Sequence, residues 1–255
     1  RNLEAPNRTR TQYIKDDNVM NDSLVIIPTY NEKENVVKML EAIMGLEFPF
    51  DVLVVDDGSP DGTAQLVQEV AGDYPERIHL LKRRGKLGLG TAYIAGFKWA
   101  LSRSYEYVFE MDCDFSHDPN DLVRLRIPCA EGGFGVTVGS RYVKGGGIVN
   151  WPFLRRLISR GASIYVNLIL RLGVRDSTAG FVAYKREVLE AIDLDAVRFI
   201  GYAFQIEMKF RAKRLGYKIA EVPISFRDRV LGTSKMSLDI FNEAFLGVIK
   251  IRFLK

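Results

Sequence analysis

From Ser23 onward the chain alternates short apolar, β-branched runs with stretches of helical period, a rhythm that suits strand–helix–strand units and little else. "LVIIPTY", residues 24–30, reads as a buried strand. "EKENVVKMLEAIMGL" follows with Val36, Val37, Leu40 and Ile43 on one helical face, and "DVLVVDDGSPDGT" reads as a strand running into a turn. A helix over about 63–71, the strand "RIHLLKR", the helix opened by "GKLGLGTAYIAGFKWAL" and the strand "YEYVFEMDCD" continue the series. Parallel strands need crossover helices, so the pattern predicts an α/β fold: a Rossmann-like, mostly parallel sheet covered by helices on both faces.

The second half is less regular. A strand "GVTVGSRY", a loop "KGGG" and the long segment "WPFLRRLISRGASIYVNLILRLG" lead to helices around 185–192 and 203–215 and a strand "YKIAEVPISF". The tail "SLDIFNEAFLGVIKIRFLK" places Ile240, Phe241, Ala244, Phe245, Val248 and Ile249 at amphipathic helical spacing. With no internal repeat and no low-complexity linker, residues 23–255 read as one domain, and the polar, aperiodic stretch before it, residues 1–22, reads as an extension or linker.

Composition narrows the partners. A hydrophobic content of 47% supports a sizeable core in 255 residues. The net charge of +4 favours acidic partners only weakly, and no basic stripe interleaved with stacking aromatics marks a nucleic-acid binder, so no nucleic acid is expected. Cys113 and Cys129 have no metal-ligand spacing and read as packing residues in a reducing compartment. No apolar run approaches the roughly 20 residues needed to cross a bilayer, and no N-terminal signal pattern stands out.

The chemistry gathers at strand ends. In "EMDCDFSHDPND" the carboxylates of Asp112 and Asp114 are two residues apart, and on an extended strand they would share a face beyond its carboxyl end. Two like charges there raise each other's pKa unless neutralised, and Mg²⁺ or Mn²⁺ shared with a substrate phosphate would neutralise them. A solvated acidic turn capping the next helix explains the same residues. Asp56 and Asp57 end the earlier strand, and the parallel-sheet rule would bring residues 28–32, 56–61 and 112–116 to one crevice, although turns use such residues anyway. Gly88 and Gly90 lack the rest of a dinucleotide fingerprint, while Arg83, Arg84 and Lys86 beside a helix N-terminus suit a diphosphate. Residues 151–172 mix Trp, Phe, Leu and Ile with Arg155, Arg156 and Arg160, as an interfacial helix or a core helix with a basic outer face would.

"VIIPTYNEKEN", "VVDDGSPDGT", "GLGTAY", "MDCDFSHDP", "GSRYVKGGG", "LISRGAS", "DSTAGFVAY", "GYAFQIEM" and "EVPISFRDRVLGTSK" occur in that order. Together, over about residues 23–235, they resemble the family-2 glycosyltransferases, and within them the dolichyl- or polyprenyl-phosphate mannose synthases. The resemblance implies a GT-A fold and inverting transfer of mannose from GDP-mannose to a polyprenyl or dolichyl phosphate. It implies Mg²⁺ or Mn²⁺ held by Asp112 and Asp114, with Ser116 nearby. Pro28, Tyr30, Glu32, Val55, Asp57, Lys86 and Cys113 would lie along the donor, with the phosphate-binding cations Arg141, Arg229 and Lys235. Asp112, Asp114 and Arg141 would be the catalytic residues, and Arg155 and Ser159 would hold the acceptor phosphate. An enzyme of this kind is expected at the cytoplasmic face of a membrane, the plasma membrane of a prokaryote or the endoplasmic reticulum of a eukaryote. Small membrane-protein partners or a transmembrane region outside this sequence are expected in some relatives. The alternatives are a glucosyltransferase using UDP-glucose and a non-catalytic sugar-nucleotide-binding subunit.

Overall fold

The computed structural model describes residues 21–228 and 247–253. Its first half is a run of strand–helix units: β1 (Ser23–Thr29), α1 (Val36–Met44), β2 (Asp51–Asp56), α2 (Thr63–Asp73), β3 (Ile78–Lys82), α3 (Leu89–Leu101) and β4 (Tyr107–Glu110). The second half adds α4 (Asp121–Ala130), β5 (Val136–Ser140), β6 (Gly147–Val149), α5 (Phe153–Leu170), β7 (Val182–Lys185), α6 (Arg186–Ala191), α7 (Tyr202–Arg214), β8 (Ile219–Pro223) and β9 (Ser225–Arg227). The main sheet has seven strands in the order β3-β2-β1-β4-β7-β5-β8, all parallel except β7, and β6 pairs with β9 in a separate ribbon.

The period of two along each strand divides the core. Leu24, Ile26, Leu53 and Val55 face the side covered by α3, α6 and α7, while Val25, Ile27, Val52 and Val54 face α1, α2 and α4. Both faces are dry, which is why these strands read as unbroken apolar runs. Each fully buried aliphatic side chain contributes roughly 1.5–3 kcal/mol against exposure. On α1 the buried set is Val36, Met39, Leu40 and Ile43, and Val37 is only partly covered.

Three differences from the sequence expectation matter. Strand β4 stops at Glu110, so Asp112 and Asp114 lie in the loop beyond it rather than on extended backbone. The segment "YKIAEVPISF" is two strands: Pro223 closes β8 at the sheet edge, and β9 leaves to pair with β6. Helix α4 and strand β7 carry weak patterns, α4 because Pro128 and two arginines blur its periodicity and β7 because it is four residues long. Strand β7 is nonetheless decisive. Running antiparallel between β4 and β5, it delivers its N-terminal approach, residues 176–181, to the edge where β1, β2, β4 and β5 end.

Candidate active site

At that edge the β1 and β2 ends form a self-supported pair of loops. Asp56 accepts hydrogen bonds from Thr29 Oγ1 (3.0 Å), Ser59 N–H (2.9 Å) and Ser59 Oγ (2.6 Å), and Ser59 Oγ in turn receives Asn31 N–H (3.0 Å). Asn31 sits at φ 58°, a left-handed conformation that Asn tolerates. Glu32 N–H donates to Thr63 Oγ1 (3.0 Å), and the Glu32 carboxylate takes Asn35 Nδ2 (3.0 Å). Asp57 receives Leu87 N–H (3.1 Å) and faces Arg83 Nε at 3.1 Å. Burial raises its pKa, opposed by the Arg83 guanidinium. The Arg83 contact is an ion pair without hydrogen-bond alignment: Asp57 Oδ1 and Arg83 Nη1 are buried with no hydrogen-bond partner among the described residues. A buried acceptor beside a buried donor, both unsatisfied, marks where a ligand's polar groups fit. Lys86 Nζ lies 5.3 Å from the centre of the Tyr30 ring, above the same opening.

The glycines next door are structural. Gly88 has φ 99°, and a Cβ on Gly90 would come within 2.9 Å of the Phe199 carbonyl and the Phe204 ring. Gly90 N–H is taken by the Ile200 carbonyl (2.8 Å), which closes part of the α3 N-terminus.

Beyond β4, Phe115 at φ 58° reverses the chain, so that Ser116 N–H folds back onto Asp114 Oδ1 (3.0 Å). Asp112 is half-buried and Asp114 and Ser116 are buried. The Ser116 carbonyl accepts Arg227 N–H (3.1 Å), tying the acidic loop to β9. Beneath the loop is a polar group the sequence reading missed. Glu110 and Lys209 are both fully buried, joined through Gln205: Gln205 Nε2 donates to Glu110 Oε2 (2.6 Å), and Lys209 Nζ donates to Gln205 Oε1 (3.2 Å). Burial pushes the Glu110 carboxyl up, against the pull of Lys209, and brings the Lys209 ammonium down, against the pull of Glu110. Lys209 Nζ also donates to the Ala179 carbonyl (2.7 Å), so α7 braces the acidic loop and the 176–181 segment together.

That segment holds Arg141. Directly after β5, Arg141 places Nε 2.7 Å from Asp176 Oδ2 and Nη2 2.6 Å from Asp176 Oδ1, with Thr178 Oγ1 3.1 Å from Nη2. Asp176 is fully buried, and the guanidinium also lies near the rings of Tyr142, Trp151 and Phe226. Arg155 on α5 reaches both oxygens of Asp228 at 3.2 Å and stacks 3.9 Å over Trp151. One turn on, Ser159 Oγ accepts from the Tyr142 hydroxyl (2.7 Å), linking the end of β5 to α5. His117 is buried against Phe181 and Phe226, and burial lowers its pKa to about 4.

Of the residues expected here, the strand ends bring together Pro28, Tyr30, Glu32, Asp57, Lys86, Asp112, Asp114, Ser116 and Arg141, with Arg155 and Ser159 reached through Tyr142 and Trp151. Val55 is corrected: its side chain is fully buried in the core on the α3 side of the sheet, so it does not line the crevice. Cys113 packs in the core with Phe109, Met111 and Leu122, as its spacing suggested, so its side chain does not lie along the donor as the resemblance implied. Trp151, expected on an interfacial face, is 9% exposed and packs beneath Arg155 and Phe226; Phe153 is the exposed aromatic at 79%. Arg229 and Lys235 lie outside the described residues. Asp176 and Gln205 sit inside motifs quoted above and Lys209 directly follows one, and the one signal for the last two was polar side chains four apart on a helix that had to be buried.

The family model for glycosyl transferase family 2 matches residues 24–193. The chain belongs to the family-2 glycosyltransferases. Among the relatives of this glycosyltransferase is the polyprenol monophosphomannose synthase of Mycolicibacterium smegmatis, 48% identical over 226 residues, 89% of this chain and 85% of the relative. The undecaprenyl-phosphate mannosyltransferase of Micrococcus luteus is 48% identical over 229 residues, 89% of this chain and 92% of the relative. Solved structures share the GT-A fold: glucosyl-3-phosphoglycerate synthase from Mycobacterium tuberculosis with Mn²⁺, UDP and glucosyl-3-phosphoglycerate (TM-score 0.68, 18% identity, 100% of this chain and 88% of that one). A mannosyltransferase from Pyrobaculum calidifontis in complex with GDP-Man and Mn²⁺ superposes at TM-score 0.58 with 17% identity, over 95% of this chain and 75% of that one.

Proposed function

We propose that this glycosyltransferase moves mannose from GDP-mannose to the phosphate of a polyprenyl phosphate, with inversion and with Mg²⁺ or Mn²⁺, at the cytoplasmic face of a membrane. The observation that carries the reading is convergence at one sheet edge: the unsatisfied Asp57 Oδ1, the acidic loop at Asp112 and Asp114, and the cations Arg141 and Arg155. The names of the 48% identical relatives support the sugar and the acceptor class, and the GDP-Man complex supports the donor.

The donor set fits a hard cation. Asp112 and Asp114 offer oxygen only, the Cys113 sulfur is turned into the core, and among the described residues no group of three or more His, Cys, Asp or Glu forms a complete metal cage. Asp112 and Asp114 would hold the ion, and phosphate oxygens would complete its shell. When bound, it neutralises charge on the departing nucleotide. This chain's residues do the rest. Tyr30 and Asp57 orient the nucleoside, Lys86 and Arg141 offset phosphate charge, and Arg155 with Ser159 positions the acceptor. A phosphate monoester has its second pKa near ~6 and is already ionised at pH 7, so its oxygen attacks the anomeric carbon without a general base. His117, buried between two aromatic rings, is not asked to supply one.

The acceptor's tail needs a membrane. Helix α5 exposes Phe153, Leu154, Leu157, Ile158, Ile164 and Leu168 along one side, and an apolar stripe of this kind beside Arg156 and Arg160 suits the headgroup boundary. No described helix is long and apolar enough to cross the bilayer. The test is transfer of labelled mannose to a short polyprenyl phosphate, with Mg²⁺, Mn²⁺ or EDTA, and with UDP-glucose in parallel. Mannolipid formed from GDP-mannose only when metal is present is the expected result. Glucolipid from UDP-glucose would reassign the donor. No product from either, despite nucleotide binding, would reject autonomous transfer and point to a required membrane partner.

A further inference from the structure

The far end of α5 carries a second cationic feature that the transfer reaction does not use. A surface concavity of about 470 Å³ is lined by Leu170, Arg171, Phe210, Lys213, Arg214 and Arg252. Three elements meet there: the C-terminus of α5, the end of α7, and the helical segment 247–252. Four of the six lining residues are cationic and none is acidic. Ser159 and Arg171 are twelve positions apart, which is roughly 18 Å along a helix axis, so the hollow is separate from the acceptor site.

The hollow is built. Lys213 Nζ donates to the carbonyls of Arg171 (2.6 Å) and Leu172 (2.7 Å), pinning α7 to the end of α5, and Arg214 lies 5.9 Å from the Phe210 ring centre. Segment 247–252 is anchored through buried Val248 and Ile251, which fixes Arg252 at the rim. Like charges gathered around one concavity raise the local potential and favour an anion there. The flanking side chains are apolar and exposed: Leu168, three positions before Arg171 on α5, is 74% exposed, and Phe253, next to Arg252, is 78% exposed. A free phosphate would account for the cations but leave the apolar flank in water. A phospholipid accounts for both, with its phosphate in the hollow and its glycerol and upper chains against Leu168 and Phe253.

We infer that this hollow seats the headgroup phosphate of an anionic membrane phospholipid, so that the enzyme holds the bilayer at both ends of α5. The inference rests on the membrane-facing reading of α5, and the experiment separates the two. The full chain is sedimented with vesicles of phosphatidylcholine alone and of phosphatidylcholine with phosphatidylglycerol. The wild type is expected to bind both, and the anionic vesicles more tightly. Arg171→Gln/Arg252→Gln should lose more of the anionic preference than the roughly ten- to thirtyfold that diffuse attraction, at about fivefold per cation, removes from any pair of surface cations. It should keep its binding to neutral vesicles and its transfer to a short acceptor in detergent, which reports an intact fold. Equal loss in the control pair Arg156→Gln/Arg160→Gln would mean diffuse attraction and overturn the site, as would an undiminished preference in the double variant. Release by inorganic phosphate at constant ionic strength would assign the hollow to a soluble anion and overturn it too. Failure of the wild type to bind either vesicle would sink the membrane-facing reading and this inference together.

Discussion

The two sides of the crevice hold their charges in opposite ways. On the donor side, the carboxylates that shape the loops are satisfied by neutral neighbours, Asp56 by Thr29 and Ser59, and Asp61 by Thr63 Oγ1 (2.6 Å), Thr63 N–H (3.0 Å) and Lys33 N–H (3.2 Å), and only Asp57 among those described above faces a cation, Arg83. These bonds set loop shape from the chain's own groups, with no nucleotide needed to complete them. Toward the acceptor, cations are held by carboxylates, Arg141 at the boundary by Asp176 and Arg155 beyond it by Asp228, so an arriving phosphate meets arginines that already have anionic partners. The donor loops are therefore preformed, whereas the acceptor side is charge-balanced and has charge to exchange.

The largest effect should come from the acidic loop where the sides meet. Asp112→Ala and Asp114→Asn are expected to lower metal-dependent transfer by roughly a thousandfold or more, the scale of removing a principal electrostatic stabiliser. Thermal unfolding should change little in Asp114→Asn, because the amide it introduces still offers an oxygen acceptor to Ser116 N–H. Turnover that persists in EDTA would break the assignment. Next come the two ion pairs, which should behave differently from each other. Removing the buried Asp176 with Ala strands Arg141 and should cost about 3–5 kcal/mol in urea unfolding. Asp228 is part-exposed, and Asp228→Ala should cost less than about 1 kcal/mol. Equal costs would show that burial is not what distinguishes the anchors.

The third expectation concerns acid. His117 is buried with Nδ1 unpartnered among the described residues, and its pKa falls to about 4, chiefly from burial, with the Asp114 charge opposing. Unfolded, it titrates near ~6.5, so between those values the unfolded chain binds the proton more readily. Stability is therefore fully present above about pH 6.5 and is lost as pH falls toward 4, by up to about 3 kcal/mol. His117→Phe should flatten that slope in metal-free protein. An unchanged slope would place the acid sensitivity elsewhere.

Much of the donor side was legible because its information is local. The runs "LVIIPTY" and "DVLVVDDGSPDGT" carry their own strand and turn chemistry, and parallel pairing then forces their ends together. What escaped is non-local. Glu110, Gln205 and Lys209 sit in three positions whose polarity argues against burial, and only the tertiary fold shows that they satisfy one another. Strand β7 escaped because four residues give too little period, yet its direction delivers Asp176 to Arg141. Val55 and Trp151 were misplaced for a simpler reason. Proximity to a motif in sequence does not say which way a side chain turns, and both turn into the core.

The smallest expected effect sharpens the comparison most, because it asks whether the two sides act on separate substrates. Arg155 is about a third exposed, stacked on Trp151 and shared with Asp228, and Ser159 is reached by Tyr142 from the end of β5. Among the described residues, neither is hydrogen-bonded or ion-paired to the donor loops. Arg155→Gln keeps a hydrogen-bonding head but removes the charge and the planar fork, so the acceptor phosphate should lose about one charge-assisted bond. That corresponds to roughly a tenfold rise in KM for the polyprenyl phosphate, near 1.4 kcal/mol, with the KM for GDP-mannose and kcat within about twofold. Ser159→Ala should do the same more weakly, since it also frees the Tyr142 hydroxyl. If both KM values rose together, Arg155 would be supporting the crevice as a whole, and the division into a preformed donor side and an exchanging acceptor side would fail at its boundary. A rise confined to the acceptor would locate that boundary between Arg141 and α5, with Tyr142 as the connection across it.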